Sequence, residues 1–450
     1  MCLLPRRPPF EVSPMSHAAP YDPIETASSD ALRALQLDRL RWTVAQAASS
    51  EHYAKLFASI GLGPDSVPVR SLDDLRRFPL TTKQDLRDSY PFGFLAVPRD
   101  RVVRMHHSSG TTGMATAVFH TIGDVNRWAD LVARCLHMAG LRPADVFQNM
   151  MTYGLFTGGL GLHYGAEKLG AFVIPMGAGN SHRQIEFMRI FRTAAIHIIP
   201  SYAMALLDTL EEMGIDPKRD LNLRFAVAGA EPYTEGTGQR LQEMWGIPFY
   251  NCYGLSEMCG PGVAFECPAQ QGIHLWEDSY LAEVIDPESG EPMEEGQEGE
   301  LVLTSLTREA MPLIRYRTRD VTSFITGRCL CGRTHRRLAR IHGRTDDMFI
   351  IRGVNIFPMQ IERVLMAMPE VGRNYLIVLD RDGYADRLTV KIEVTPDFFR
   401  DEVHELLRLQ DRISHALREE ILVRPRVELV EPGSIPRREG KAVRVVDERG

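Results

Sequence analysis

The sequence predicts an α/β protein. A large N-terminal domain holds mostly parallel β-sheet with accessory β structure, and a small C-terminal α+β domain follows. Three observations carry this. Between about residues 145 and 255, short apolar runs alternate with stretches of helical periodicity, the pattern of strand–helix–strand crossovers. From about 280 to 325, strand-like runs succeed one another through turns. From about 346 the order reads β, β, helix, β, β, helix, β, enough to fold as a unit of its own. At 450 residues the chain is long enough to bury more than one core.

Taken in order, residues 1–29 are rich in Pro and Ser, with a second Met at Met15, and read as a loose leader. DALRALQLDRLRWTVAQAA (30–48) spaces its apolar residues as a helix does, with Asp30 as its expected N-cap. The runs FQNMMTYG, AFVIPMG, AIHIIPSY, LRFAVAGAEP and IPFYNCYG are the expected strands of the parallel sheet. RQIEFMRIFRTAA and SYAMALLDTLEEMG are two of the helices between them, and right-handed crossovers follow. YLAEVID, GELVLTSL and PLIRYRTRDVTSFI read as further strands, with DPESGEP a turn. The expected divisions are 30–343 and 346–450. No internal repeat is visible.

Composition narrows the function classes. With 44% hydrophobic and 25% charged residues the chain is an ordinary globular one. A net charge of −7 gives no general attraction to nucleic acid or to an anionic membrane. No apolar run is long enough to span a bilayer, and the start does not read as a signal peptide. Seven cysteines, an odd number, argue for reduced thiols or a metal site in a cytoplasmic protein, not a disulfide framework.

The string HHSSGTTGMAT contains Ser108, Ser109, Gly110, Thr111, Thr112 and Gly113. Its glycines let a ligand approach the backbone, and its hydroxyls can donate to an anion. It lacks the G-x-x-x-x-G-K-[ST] of the triphosphatase P-loop, and taken alone it reads as a surface turn. Four further strings follow in order: YGLSE (253–257), YRTRD (316–320), GRTDDMFIIRGVNIFPMQIE (343–362) and PRREGKAVRVVD, which contains Lys441. Together the five resemble the adenylate-forming superfamily of acyl- and aryl-CoA ligases. YGLFTGGLGLHYGAEKLG (153–170), GAEP (229–232) and REAMPLIRYRTRD (308–320) narrow the resemblance to the phenylacetate–coenzyme A ligase family, over roughly residues 75 to 450.

The resemblance implies ATP, Mg²⁺ and coenzyme A as cofactors and a small aromatic carboxylic acid as substrate. The acid is adenylated and then passed to coenzyme A. It also implies roles that make chemical sense. The 108–113 loop would donate to the β- and γ-phosphates. Tyr253 and Gly254 would flank the adenine, and Glu257 would help hold Mg²⁺. Glu231 joins the nucleotide side, Asp320 would accept from the ribose hydroxyls, and Arg344 would lie close by. Lys441 would stabilise the adenylation transition state. Tyr153, Phe156, Gly158 and Ala230, at expected strand ends, are candidates for the aromatic substrate; His106, His107 and His163 are undecided polar candidates. Because one cleft must first exclude water and then admit a thiol, a mobile C-terminal lid is expected, hinged at Asp346. A homodimer is compatible with the resemblance. Ligases that acylate an amine, a hydroxyl or a carrier-protein thiol share these motifs, and so do non-enzymatic nucleotide- or zinc-binding relatives.

One residue departs from the family. Met114 stands where SSGTTGKPT carries lysine, and a lost ammonium beside a polyphosphate costs about 1–3 kcal/mol. Arg101 and Arg104 are nearby in sequence as substitutes. Separately, C-x6-H (Cys267, His274) and C-x-C (Cys329, Cys331) make a Cys3His set suited to structural zinc, with Cys259 and His335 in reserve.

Overall fold

The computed structural model describes residues 19–61, 69–107, 116–351, 353–382, 385–399, 403–436 and 443–449. The 108–113 loop, Met114 and Lys441 lie outside the described residues.

A nine-stranded sheet forms the centre. One part is parallel, in the spatial order Phe172–Ile174, Val146–Asn149, Ala195–Ile198, Phe225–Gly229, Phe249–Leu255. Helices Thr157–Leu169, Ser181–Ile190, Pro200–Glu212 and Glu235–Trp245 make the crossovers. Strands 195–198 and 225–229 are buried at every position, as strands covered on both faces must be. Close helix packing explains the glycine-rich 157–169 segment. A Cβ on Gly161 would stand 2.3 Å from the Trp128 ring, and one on Gly165 2.3 Å from Val132.

The expectation of a mostly parallel sheet holds only that far. Past Phe249–Leu255 the sheet continues antiparallel through Gly260–Glu266, Ile273–Leu275, Arg337–Leu338 and Phe324–Ile325. The reason is loop length: the connections after 255 and 266 are too short for a crossover and suffice for hairpins. A second, antiparallel sheet joins Tyr280–Ile285, Gly299–Ser305, Tyr316–Thr322 and Gly343–Arg344. Along 316–322 burial alternates, so Tyr316, Thr318, Asp320 and Thr322 share the inward face.

Two N-terminal expectations are corrected. The helix runs Ser29–Ala47, and its N-cap is Ser28, whose hydroxyl accepts from the Ala31 amide. Residues 22–27 are no loose leader. Pro23–Thr26 forms a 3-10 turn, Glu25 is fully buried, and its carboxylate pairs with Arg333 at 2.6 Å. A buried glutamate survives only with such a partner.

The C-terminal region has its own hydrophobic cluster, from Phe349 to Val427, separate from the two clusters of the preceding residues. A hairpin (Phe349–Ile351, Val354–Ile356) leads to a sheet in the order Arg426–Val430, Ala385–Val394, Val371–Asp382, Val445–Asp447, with helices Pro358–Met366 and Val403–Ile421. It meets the rest through Arg240 on the Val371 carbonyl, through Arg373 against Asp208, and through Glu362. That carboxylate is buried, accepts from the Thr234 amide (3.1 Å), the Thr237 hydroxyl (2.6 Å) and the Tyr375 hydroxyl (2.7 Å), and so sits at the start of helix Glu235–Trp245.

Candidate active site

The fold gathers three of the candidate nucleotide residues. Tyr253 lies on the last parallel strand and Asp320 on the inward face of the second sheet. The Tyr253 hydroxyl donates to Asp320 Oδ2 at 2.6 Å, and Arg344 Nη1 donates to Oδ1 at 3.0 Å. Arg344 reaches Asp320 because their strands pair residue to residue. It also grips Asp346 with Nε and Nη2, at 2.9 and 3.1 Å. Burial pushes the Asp320 carboxyl up, against the pull of Arg344 and Tyr253. A carboxylate offers about four acceptor positions, so Asp320 keeps room for two more donors, which fits the paired hydroxyls of a ribose. Gly254 has a structural reason as well: a Cβ there would lie 1.9 Å from the Gly260 carbonyl oxygen.

Glu257, four residues beyond Tyr253, is buried in the turn that follows the strand. Its charge, with burial, holds the Tyr316 hydroxyl in its protonated form, and Lys83 Nζ stands 3.7 Å from its Oε1. Its hard carboxylate oxygen is a fitting ligand for Mg²⁺. Lys83 was missed in the sequence, because nothing local links it to a glutamate so far along the chain. The expected substitutes for Met114 fare differently. Arg101 is bound to Glu309, which also takes Arg127, and Arg104 lies over the Tyr164 ring.

The candidate substrate residues follow two strand ends, Tyr153, Phe156 and Gly158 after Val146–Asn149 and Ala230 after Phe225–Gly229. The Tyr153 hydroxyl accepts from Asn149 Nδ2 at 2.9 Å and lies 3.2 Å from His163 Nδ1. Asn149 Oδ1 lies 3.3 Å from His197, whose burial pushes its pKa down to about 3 and keeps it neutral. Of the undecided histidines, His163 is thus the one beside Tyr153, whereas His106 lies 3.1 Å from the Leu155 carbonyl oxygen. Phe156 is 44% exposed and is no core residue. A Cβ on Gly158 would press on Met151 at 3.0 Å. Ala230 adopts φ +70°, a left-handed conformation unusual for alanine, just past the strand Phe225–Gly229. Glu231 follows the same strand end, and its Oε1 accepts from the Ser201 amide at 2.7 Å, in the first turn of helix Pro200–Glu212.

The cysteine set comes together. The ligand atoms of Cys267, His274, Cys329 and Cys331 all lie within 4.8 Å of one another. Cys267 Sγ is 3.5 Å from Cys329 Sγ, and Cys331 Sγ is 3.3 Å from His274 Nε2. A tetrahedral ion with bonds of ~2.3 Å spaces its sulfurs about 3.8 Å apart, close to this spacing. His274 Nδ1 faces the His335 carbonyl oxygen at 3.3 Å, the usual outer partner of a metal-bound imidazole. The reserve ligands are excluded: Cys259 is bonded to Arg308, and both His335 nitrogens face backbone groups.

Comparison with known proteins agrees with this geometry. The family described as AMP-binding enzyme matches residues 43–307, and AMP-binding enzyme C-terminal domain matches 353–449. Phenylacetate-coenzyme A ligase of Aromatoleum evansii is 47% identical over 97% of this chain and 99% of its own length. The Thermus thermophilus enzyme of the same name is 47% identical over 95% of this chain and 99% of its own. Among solved structures, 2-hydroxyisobutyryl-CoA ligase in the postadenylation state with 2-HIB-AMP superposes with a TM-score of 0.88, at 31% identity, covering 94% of this chain and 91% of the other. The same enzyme in the thioesterification state, with 2-HIB-AMP and CoA, superposes at 0.69, with 32% identity and the same coverage.

Proposed function

Because the chain belongs to the phenylacetate–coenzyme A ligase family of AMP-binding enzymes, we propose that it joins an aryl carboxylate of the phenylacetate kind to coenzyme A in two steps. The acid is first activated by ATP with release of pyrophosphate, and the acyl group then passes from AMP to the thiol. The observation that carries this is 47% identity along 97% of the chain, with the buried Tyr253–Asp320–Arg344 cluster intact.

In this reading Asp320 accepts from the ribose hydroxyls while Tyr253 and Arg344 fix its two oxygens. Glu257 holds Mg²⁺, which supplies charge neutralisation at the phosphates. The 108–113 loop donates to the phosphate chain, and Lys441 stabilises charge growing at the α-phosphate and carboxylate oxygens. Tyr153, Phe156, Gly158 and Ala230 shape the aryl pocket. Cys267, His274, Cys329 and Cys331 hold a structural zinc that fastens the 260s loop to the 329–331 turn. Residues up to 343 form the body and those from 346 the lid, with Asp346 at the hinge. Reduced thiols at the zinc site suit a cytoplasmic setting; among the described residues no helix is long and apolar enough to cross a membrane.

ATP–pyrophosphate exchange with a panel of carboxylic acids tests the first step, and product analysis with and without coenzyme A tests the second. Exchange should depend on phenylacetate or a close analogue, and a thioester should form only with coenzyme A. Absence of exchange with every acid would refute adenylation. Exchange without any thioester would refute the acceptor.

A further inference from the structure

We propose that Lys83 is the cation this site presents to the triphosphate of ATP, in place of the lysine that Met114 replaces; the proposal rests on the ATP-dependent reading above. The loop from Ser108 to Gly113 carries hydroxyls and amides but no charge. A triphosphate bound beside Glu257 calls for ammonium or guanidinium groups as well.

Other candidate cations are already committed. Arg344 is held by Asp320 and Asp346, Arg308 by Cys259 and the Phe119 carbonyl, and Arg101 by Glu309. Lys83 is not. Among the described residues its one carboxylate neighbour is Glu257, at 3.7 Å, an ion pair too long to be a hydrogen bond. The three ammonium donors are therefore available, and the side chain is about one-third exposed.

The backbone beneath it is fixed. Thr81 donates its amide to the Arg315 carbonyl at 2.9 Å and accepts from the Arg317 amide at 2.8 Å, which seats it on Tyr316. Thr82 then caps the helix Lys83–Asp88, with Asp85 closing the capping box. Lys83 thus starts two residues beyond Thr81, the partner of Tyr316, which shares the inward face of its strand with Asp320. The anchor fixes where the side chain starts, and its four-carbon stem lets the ammonium turn from Glu257 to a phosphate oxygen.

The test is calorimetric binding of α,β-methylene-ATP and of AMP, with Mg²⁺, to the full chain and to Lys83→Ala, Lys83→Arg and Arg104→Gln. Lys83→Ala should weaken the triphosphate by roughly 10- to 100-fold while AMP stays within about twofold. Lys83→Arg should recover most of the loss, and melting temperatures should confirm that all variants fold. Equal weakening of both nucleotides in Lys83→Ala would mean a structural role through Glu257 and would overturn the proposal. So would a triphosphate loss in Arg104→Gln alone, since Arg104 Nη1 is buried without a partner. A wild-type chain that binds neither nucleotide would refute the ATP reading itself. Wild-type binding that survives Lys83→Ala refutes Lys83 alone.

Discussion

A buried carboxylate is costly unless its charge is answered, and Asp320 is answered twice, by Arg344 and by the Tyr253 hydroxyl. Asp320→Asn keeps the shape but turns one acceptor into a donor that faces Arg344 or Tyr253. We expect folded protein whose KM for ATP rises about tenfold or more, with a smaller change for the acid, by steady-state kinetics. An unchanged KM for ATP would remove Asp320 from the ribose. Lys441→Ala should lower adenylate formation by about 10²–10³-fold and leave thioester formation from supplied acyl-adenylate nearly untouched. Equal loss in both half-reactions would refute that role. At this scale the sequence was readable where a motif is contiguous: Tyr253, Glu257 and Asp320 each sit in a recognisable string. It was silent on Lys83, because a lysine followed by a helix is commonplace and its glutamate comes from a distant segment.

Secondary-structure elements explain why the convergence of the Cys3His set could be anticipated and the anchoring of residues 22–27 could not. Two cysteines one residue apart and a Cys-x6-His pair are local patterns. Their convergence needs only the antiparallel neighbours Ile273–Leu275 and Arg337–Leu338 to pair, which they do, His274 opposite Arg337. The anchoring of residues 22–27 depends on Arg333 and His335, some 300 positions later, and no local pattern announces it. The antiparallel half of the central sheet was likewise hidden, because its short strands carry no periodicity of their own. Purified protein should carry about one zinc per chain by elemental analysis. Cys331→Ser should lose it and melt at a lower temperature. Carefully reduced protein without zinc, melting as the variant does, would make the four residues ordinary packing.

Across the whole molecule, the chain superposes better on the postadenylation state of a relative than on its thioesterification state, and Glu362 is a buried contact in this arrangement, beside Arg240 on the Val371 carbonyl and Arg373 against Asp208. The buried Glu362 carboxylate takes two donors from the body, at the start of helix Glu235–Trp245, and one from Tyr375 in its own unit. The helix start favours the negative charge, so the contact gains from dipole as well as hydrogen bonds. A rotation of the C-terminal unit about the proposed hinge at Asp346 would break it. A proline at 346 tests that hinge poorly: it would occupy the third position of the turn closed by the Asp347 amide on the Arg344 carbonyl, and would restrict the backbone of Thr345 before it. Thr237→Val is cleaner. It removes one charge-assisted donor on the body side, worth about 1.5–3 kcal/mol, and leaves the Glu362–Tyr375 pair in place. Single-turnover measurement of each half-reaction should show adenylation slowed, with thioester formation from supplied adenylate unchanged or faster, because the docked arrangement is favoured less. If the two half-reactions slow equally, Glu362 is a structural contact and the latch is refuted.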